Sequence, residues 1–260
     1  MQDLNIALLQ FDQSWENKSE NFEKISSLLE DETQIDLLIL PEMFHTGYTM
    51  NHQFLSESMS NSEGIAFLTN IAKEKCCAIY TSLIISENDK VFNRGIFVYP
   101  DQQICHYDKR KTFGLAGEDE FYAAGTQEKI VTYKGWKFNL QICYDLRFPE
   151  LVANCINQRD QVKYDVILYV ANWPDKRASH WNSLLQARAI ENQSYVLACN
   201  RVGTDQNNIV YSGGSCVINA LGDLQANHLK NERLIKYTLS ISELNKIRQQ
   251  LPFLKDRACL

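Results

Sequence analysis

The segment FNLQICYDLRFPE, residues 138–150, ends an apolar run on Cys143 and turns at once into polar residues. A cysteine placed there can act as a nucleophile if a neighbour takes its proton. A free thiol has a pKa of about 8.5, so only a few per cent is thiolate at neutral pH. A carboxylate can serve as that base, and Glu42, directly behind the apolar run in DLLILPE, is the candidate. Two further charged residues stand out by their placement: Lys109 in HYDKRKTFG, after the short strand QICHY, and Glu118 in GLAGEDEFYAAG. Taken singly, residues of these types are more often a core sulfur, a solvated strand end, a surface lysine and a loop glutamate. Their meaning depends on what brings them together.

Strand-like runs, rich in β-branched and aromatic residues, recur at 5–11, 35–40, 78–85, 95–100, 136–143, 165–171, 194–200 and 213–220. Helical periodicity lies between several of them. Residues 17–30 space Phe22, Ile25, Leu28 and Leu29 by three to four, and residues 62–75 do the same with Phe67, Leu68 and Ile71. Residues 177–193 put Trp181, Leu184, Leu185 and Ala189 on one face. Ser60 with Glu63, and Ser240 with Glu243 before Leu244 and Ile247, have capping-box spacing. The alternation predicts a layered α/β fold. Three continuous apolar strands end on polar groups: Glu42, Cys143 and the pair Asn172–Trp173. Strands of this kind are buried on both faces, and ligands gather beyond their carboxyl ends, so the three ends are predicted to converge. DLLILPEMF and DVILYVANW also resemble one another, which suggests an internal repeat.

The bulk numbers bound what such a site can do. The 260 residues, 45% of them hydrophobic, can bury a sizeable core, and no linker divides them, so residues 1–260 are expected to form one domain. Net charge is −6 and the basic residues cluster only in DKRK at 108–111, which argues against a nucleic-acid partner. The apolar run in MQDLNIALLQF is too short for a signal peptide or a membrane span. A cytoplasmic protein without a membrane partner is expected, its eight cysteines (76, 77, 105, 143, 155, 199, 216 and 259) reduced. They form no CxxC pair; HExxH, GxGxxG and GxxxxGK[ST] are missing too. Neither a metal nor a cofactor is expected.

Order and context unite the charged residues. A glutamate after an apolar strand in LILPEMF, a lysine before an aromatic in YDKRKTF and a strand-end cysteine in ICYDLRFPE resemble the nitrilase (carbon–nitrogen hydrolase) superfamily. Glu118, seven residues before Gly125, matches the family's second glutamate, and YVANWP, HWNSLLQARAIENQSYV and CNRVG extend the likeness over nearly the whole chain. CYDLRFPE and ANWP…ARAIENQ are most similar to the ω-amidase branch, which hydrolyses the terminal amide of 2-oxo acids such as 2-oxoglutaramate and 2-oxosuccinamate. Another small aliphatic amide or N-carbamoyl substrate is the alternative, and a catalytically silent binding homologue the alternative of a different class. The branch has His-Leu in many members where this chain has Lys111-Thr112, which alters the pocket rim and its charge.

The resemblance implies a four-layer α-β-β-α sandwich that pairs into a homodimer, and a mechanism. Glu42 is then the base for Cys143, Lys109 and the Tyr144 N–H hold the oxyanion, and Glu118 orients Lys109. Phe44, Tyr48, Phe113 and Trp173 are expected around the substrate, with Lys111, Arg177 and Arg201 as candidate partners for its carboxylate. Arg147 is expected to bind a structural carboxylate behind the site and Arg188 to form a buried ion pair.

Overall fold

The apolar runs become strands that stack as two facing sheets. The computed structural model describes residues 2–157 and 161–257. In chain order these contain β1 (Leu4–Gln10), α1 (Lys18–Leu29), β2 (Leu37–Ile39), α2 (His52–Leu55), α3 (Glu63–Glu74), β3 (Ala78–Glu87), β4 (Lys90–Val98), β5 (Ile104–Asp108) and α4 (Glu118–Phe121). There follow β6 (Ile130–Tyr133), β7 (Trp136–Ile142), β8 (Val166–Ala171), α5 (Ala178–Asn192), β9 (Tyr195–Asn200), β10 (Val202–Thr204), β11 (Val210–Ile218), β12 (Leu224–Leu229), β13 (Arg233–Leu239) and α6 (Ile241–Gln250). One sheet has the order β13-β1-β2-β3-β4-β5; the other is β10-β11-β9-β8-β7-β6, with β12 on β11.

Alternation along each strand divides the core into layers. Leu37 and Ile39 face the second sheet and pack with Leu140, Ile142, Leu168 and Val170. Leu38 and Leu40 face the other way, against Ile25 and Leu29 of α1 and Leu68 and Ile71 of α3. On the far side Ile167 and Tyr169 meet Trp181, Leu185 and Ala189 of α5. Helix, sheet, sheet and helix are thus four layers, the expected sandwich. Each buried Leu or Ile contributes about 1.5–3 kcal/mol by leaving water.

The internal similarity has a structural counterpart. β1, β2 and β3 are parallel, and so are β7, β8 and β9. Asp36, just before β2, accepts from the Asn5 N–H (2.8 Å); Asp165, just before β8, accepts from the Lys137 N–H (3.1 Å). Each repeat thereby aims the carboxyl end of its middle strand at the same edge of the sandwich.

Several local expectations need correction. The cap of α3 is Ser62, whose side chain accepts from the Ile65 N–H, not Ser60. Ser240 precedes α6 without a side-chain cap: its hydroxyl is shared with that of Ser242 (2.9 Å), and Glu243 accepts from the Tyr195 hydroxyl. The short or polar strands β6, β10, β12 and β13 lack the apolar runs that mark the inner strands. The expectation of reduced thiols fails at Cys155, which is disulfide-bonded, a pairing that depends on tertiary approach. The six thiols at 76, 77, 105, 143, 199 and 216 are free, and Cys259 lies outside the described residues.

Candidate active site

Four strand ends bring the polar groups together. β2 gives way to Leu40, Pro41 and Glu42; proline has no N–H to extend the ladder, and the Thr81 hydroxyl donates to the Pro41 carbonyl (2.6 Å). Met43 follows with φ +46° and turns the chain so that Glu42 and Phe44 part company. β5 ends one residue before Lys109, whose N–H donates to the Asn93 carbonyl on β4 (3.0 Å) and whose carbonyl accepts from Gly125 (2.9 Å). A side chain at Gly125 would lie 2.2 Å from the Asp108 carbonyl oxygen, so the AAG sequence there is a close backbone approach. From the opposite sheet, β7 delivers Cys143 and β8 delivers Asn172.

Cys143 opens a tight 3₁₀ turn, Cys143–Arg147, with φ +45°, a left-handed conformation costly for a residue with a side chain. Asp145 holds this turn. Its fully buried carboxylate accepts from the Ile142 N–H (3.0 Å), the Tyr107 hydroxyl (2.8 Å) and the Lys111 N–H (3.0 Å). Those donors flank both Cys143 and Lys109, so one carboxylate ties the two together. Burial outweighs the three donors and pushes Asp145 up to about 6. Arg188 of α5 is buried, but its partner Glu191 (3.0 Å) is partly exposed, so the expected buried ion pair is only half buried; Arg188 also donates to the Leu146 carbonyl (2.7 Å) in the same turn.

The charged groups form one buried cluster. Lys109 Nζ lies 2.9 Å from both Glu118 oxygens and 3.1 Å from Glu42 Oε1. Glu42 Oε1 also accepts from Asn93 Nδ2 (2.7 Å), and Oε2 from the Asn172 N–H (2.8 Å). Glu118 Oε2 accepts from the Phe113 N–H (2.5 Å). Glu42 and Glu118 are fully buried and Lys109 is 1% exposed. Burial alone would lower the Lys109 pKa, but the two carboxylates outweigh it, so the ammonium is held well above its ordinary value. Burial, then the negative charge of Glu42, pushes the Cys143 thiol well above its own. At neutral pH the cluster therefore presents a protonated thiol and a charged ammonium. It can deliver the thiolate only in concert with proton transfer, as a nucleophile paired with a base does.

The carbon–nitrogen hydrolase family model matches residues 5–249. The chain belongs to the carbon–nitrogen hydrolase family. It is 40% identical over 257 residues to omega-amidase YafV of Yersinia enterocolitica, covering 98% of this chain and 97% of that one. It is 32% identical over 255 residues to the 2-oxoglutaramate amidase of Bacillus subtilis, covering 96% of each. Among solved structures, a Xanthomonas campestris CN-hydrolase superfamily protein with an arsenic adduct in its active site superimposes with a TM-score of 0.97 at 38% identity, over 100% and 99% of the two chains. Nit3 of Saccharomyces cerevisiae, from branch 10 of the nitrilase superfamily, gives 0.86 at 25%, over 99% and 97%.

In this carbon–nitrogen hydrolase Cys143 opens onto a small cavity of about 70 Å³. Of the residues expected around a substrate, Tyr48, Phe113, Trp173 and Arg177 line it together with Lys109 and Tyr144. Three others do not. Phe44 points into the layer between the first sheet and its helices, stacked on His45 (4.8 Å) and near Phe22 (6.0 Å). Lys111 lays its ammonium 4.6 Å from the Phe148 ring and serves the site only through its backbone N–H. Arg201 is buried and committed to Asp12 (2.8 Å) and the Gln13 carbonyl (3.0 Å), behind Tyr211, which does line the cavity.

Arg147 is corrected in the other direction: among the described residues it pairs with no carboxylate, and it lines the cavity, 4.8 Å from the Trp173 ring and 3.3 Å from His180 Nδ1. The sequence reading also missed Asn93 and Asp145 and assigned Asn172 no role beyond its strand end. The NxG in β4 and the Asp two residues past Cys143 carried no distinguishing local pattern. Among the described residues no group of three or more His, Cys, Asp or Glu side chains is placed to hold a metal ion. Nor is any helix long and apolar enough to cross a membrane.

Proposed function

We propose that this chain is an ω-amidase: it hydrolyses the terminal amide of small 2-oxo acid ω-amides, such as 2-oxoglutaramate and 2-oxosuccinamate, to the 2-oxo dicarboxylate and ammonia. Amide chemistry follows from the family, and its named relatives support the substrate class. One observation carries that class to this cavity. Arg147 and Arg177 line it, and neither guanidinium has an ion-pair partner among the described residues. Arg177 lies 5.3 Å over the Phe113 ring. The charge of Lys109 is already met by two carboxylates, so these arginines are the free cations for a substrate carboxylate.

Catalysis uses Glu42 four times, twice as base and twice as acid. It takes the thiol proton as Cys143 sulfur attacks the amide carbonyl, and the Lys109 ammonium and Tyr144 N–H stabilise the oxyanion. The carboxyl of Glu42 then gives that proton to nitrogen. The C–N bond breaks, ammonia leaves and a thioester remains. Glu42 next removes a proton from water, which attacks the thioester. Collapse releases the acid and a thiolate, which recovers its proton from Glu42. Glu118 keeps Lys109 charged and in place.

The test is ammonia release from a panel of 2-oxoglutaramate, 2-oxosuccinamate, glutamine, asparagine and carbamoyl amino acids. The two 2-oxo acid amides are expected to give the highest kcat/KM. Preference for a carbamoyl compound or an uncharged amide would overturn the reading. We read the protein further as one domain and as a cytoplasmic homodimer. Ile190, Leu221 and Leu224, 48%, 47% and 53% exposed, lie on the outer α5 side and offer an apolar face to a second copy. A monomeric mass by light scattering would remove the dimer.

A further inference from the structure

Asn172 is held at two points by the segment that carries the base. Its backbone N–H donates to Glu42 Oε2 (2.8 Å), and its side-chain Nδ2 donates to the Glu42 carbonyl (2.6 Å). The second contact fixes the side-chain orientation, since the amide oxygen would repel a carbonyl at that distance. Oδ1 is left over. It is buried, it has no hydrogen-bond partner among the described residues, and the residue lines the cavity beside Cys143 and Lys109 while being only 5% exposed. A buried acceptor without a donor is costly unless a ligand supplies one.

Asn172 packs against the Glu42 carboxylate that must protonate the leaving nitrogen. The substrate group that carries donors at that place is the scissile –NH₂. We infer that Asn172 Oδ1 accepts a hydrogen bond from an N–H of the scissile amide, making Asn172 the residue that recognises a primary amide and turns its nitrogen towards Glu42. The inference rests on the amidase reading and adds a positioning and specificity role to it. As the C–N bond breaks, nitrogen takes its third proton from Glu42 and keeps the N–H that Asn172 holds, so the bond persists until ammonia departs. An ester of the same acid has no such donor and leaves Oδ1 unmatched.

Compare Asn172→Ala with wild type on 2-oxoglutaramate and on the corresponding ω-methyl ester. kcat/KM reports steps through acylation, so the shared thioester hydrolysis drops out. The amide-to-ester ratio of kcat/KM is expected to fall on the order of tenfold or more, as for loss of one matched buried hydrogen bond. Circular dichroism and an unchanged melting transition check that the variant has folded. If the alanine variant does not fold, Asn172→Ser is put through the same comparison. An unchanged ratio, with both substrates slowed alike, overturns the role of Asn172. Wild-type protein inactive on all 2-oxo acid ω-amides would instead overturn the proposed function, so the two failures are distinct.

Discussion

Glu118→Gln isolates the contribution of the second carboxylate with little change in shape. The wild-type carboxylate places both oxygens 2.9 Å from Lys109 Nζ and accepts the Phe113 N–H at 2.5 Å. Glutamine keeps one acceptor oxygen and sets an NH₂ against either the ammonium or the Phe113 N–H. Breaking a buried ion pair costs about 3–5 kcal/mol. Lys109 retains Glu42 at 3.1 Å, so about 3 kcal/mol of stability is the expected loss. Activity suffers twice: the ammonium now leans on Glu42 alone, which draws on the base, and its aim at the oxyanion loosens. A displaced oxyanion donor costs about 100-fold in kcat or more.

The pH profile gives the sharper readout. Burial lowers the Lys109 pKa; Glu118 and then Glu42 raise it. With Glu118 neutral the ammonium loses its proton at lower pH, so the alkaline limb of kcat must move down. Ammonia release followed from pH 6 to 11, with circular dichroism at each end, is the assay; an alkaline limb is expected to enter this range in the variant and not in the wild type. A folded variant with wild-type kcat and an unmoved alkaline limb would refute the argument that Glu118 holds Lys109 charged.

Four other outcomes follow from the geometry. Cys143→Ala should release no ammonia while keeping its melting temperature or raising it, because it removes the nucleophile without disturbing the Asp145 contacts of the turn; residual turnover would show another nucleophile. Arg177→Gln should raise KM for 2-oxoglutaramate about tenfold or more, with much less effect on an uncharged amide; equal changes for both would count against carboxylate recognition. Alkylation of Cys143 by iodoacetamide should lack a thiolate plateau near neutral pH, since burial and Glu42 push that thiol up. Finally, Asp145 is raised from 3.8 to about 6, so its folded form favours the proton. Its stabilisation is present below about pH 4 and lost as pH rises through 6, worth roughly 3 kcal/mol at 1.4 kcal/mol per unit. The stability gap between wild type and Asp145→Asn, from urea unfolding, should therefore be smaller at pH 7 than at pH 4.

The sequence by itself determined the inner strands, the longer helices and the identity of Glu42, Lys109, Glu118 and Cys143 as a set. The strands show because both faces are buried, which leaves continuous apolar runs; the set shows because its members sit in motifs of fixed order. What the sequence could not carry is direction. Phe44 and Glu42 are two residues apart, yet the positive φ of Met43 sends one into a helix layer and the other into the site. Lys111 and Arg201 are cations of the right kind near the right motifs, but Phe148 and Asp12 already occupy them. Arg147 looked structural and faces the cavity. Asp145 and Asn172 acquire meaning only from partners 34 and 130 residues away in the chain. Charge balance and unmatched hydrogen-bonding atoms belong to a closed three-dimensional neighbourhood, and only the tertiary structure closes it.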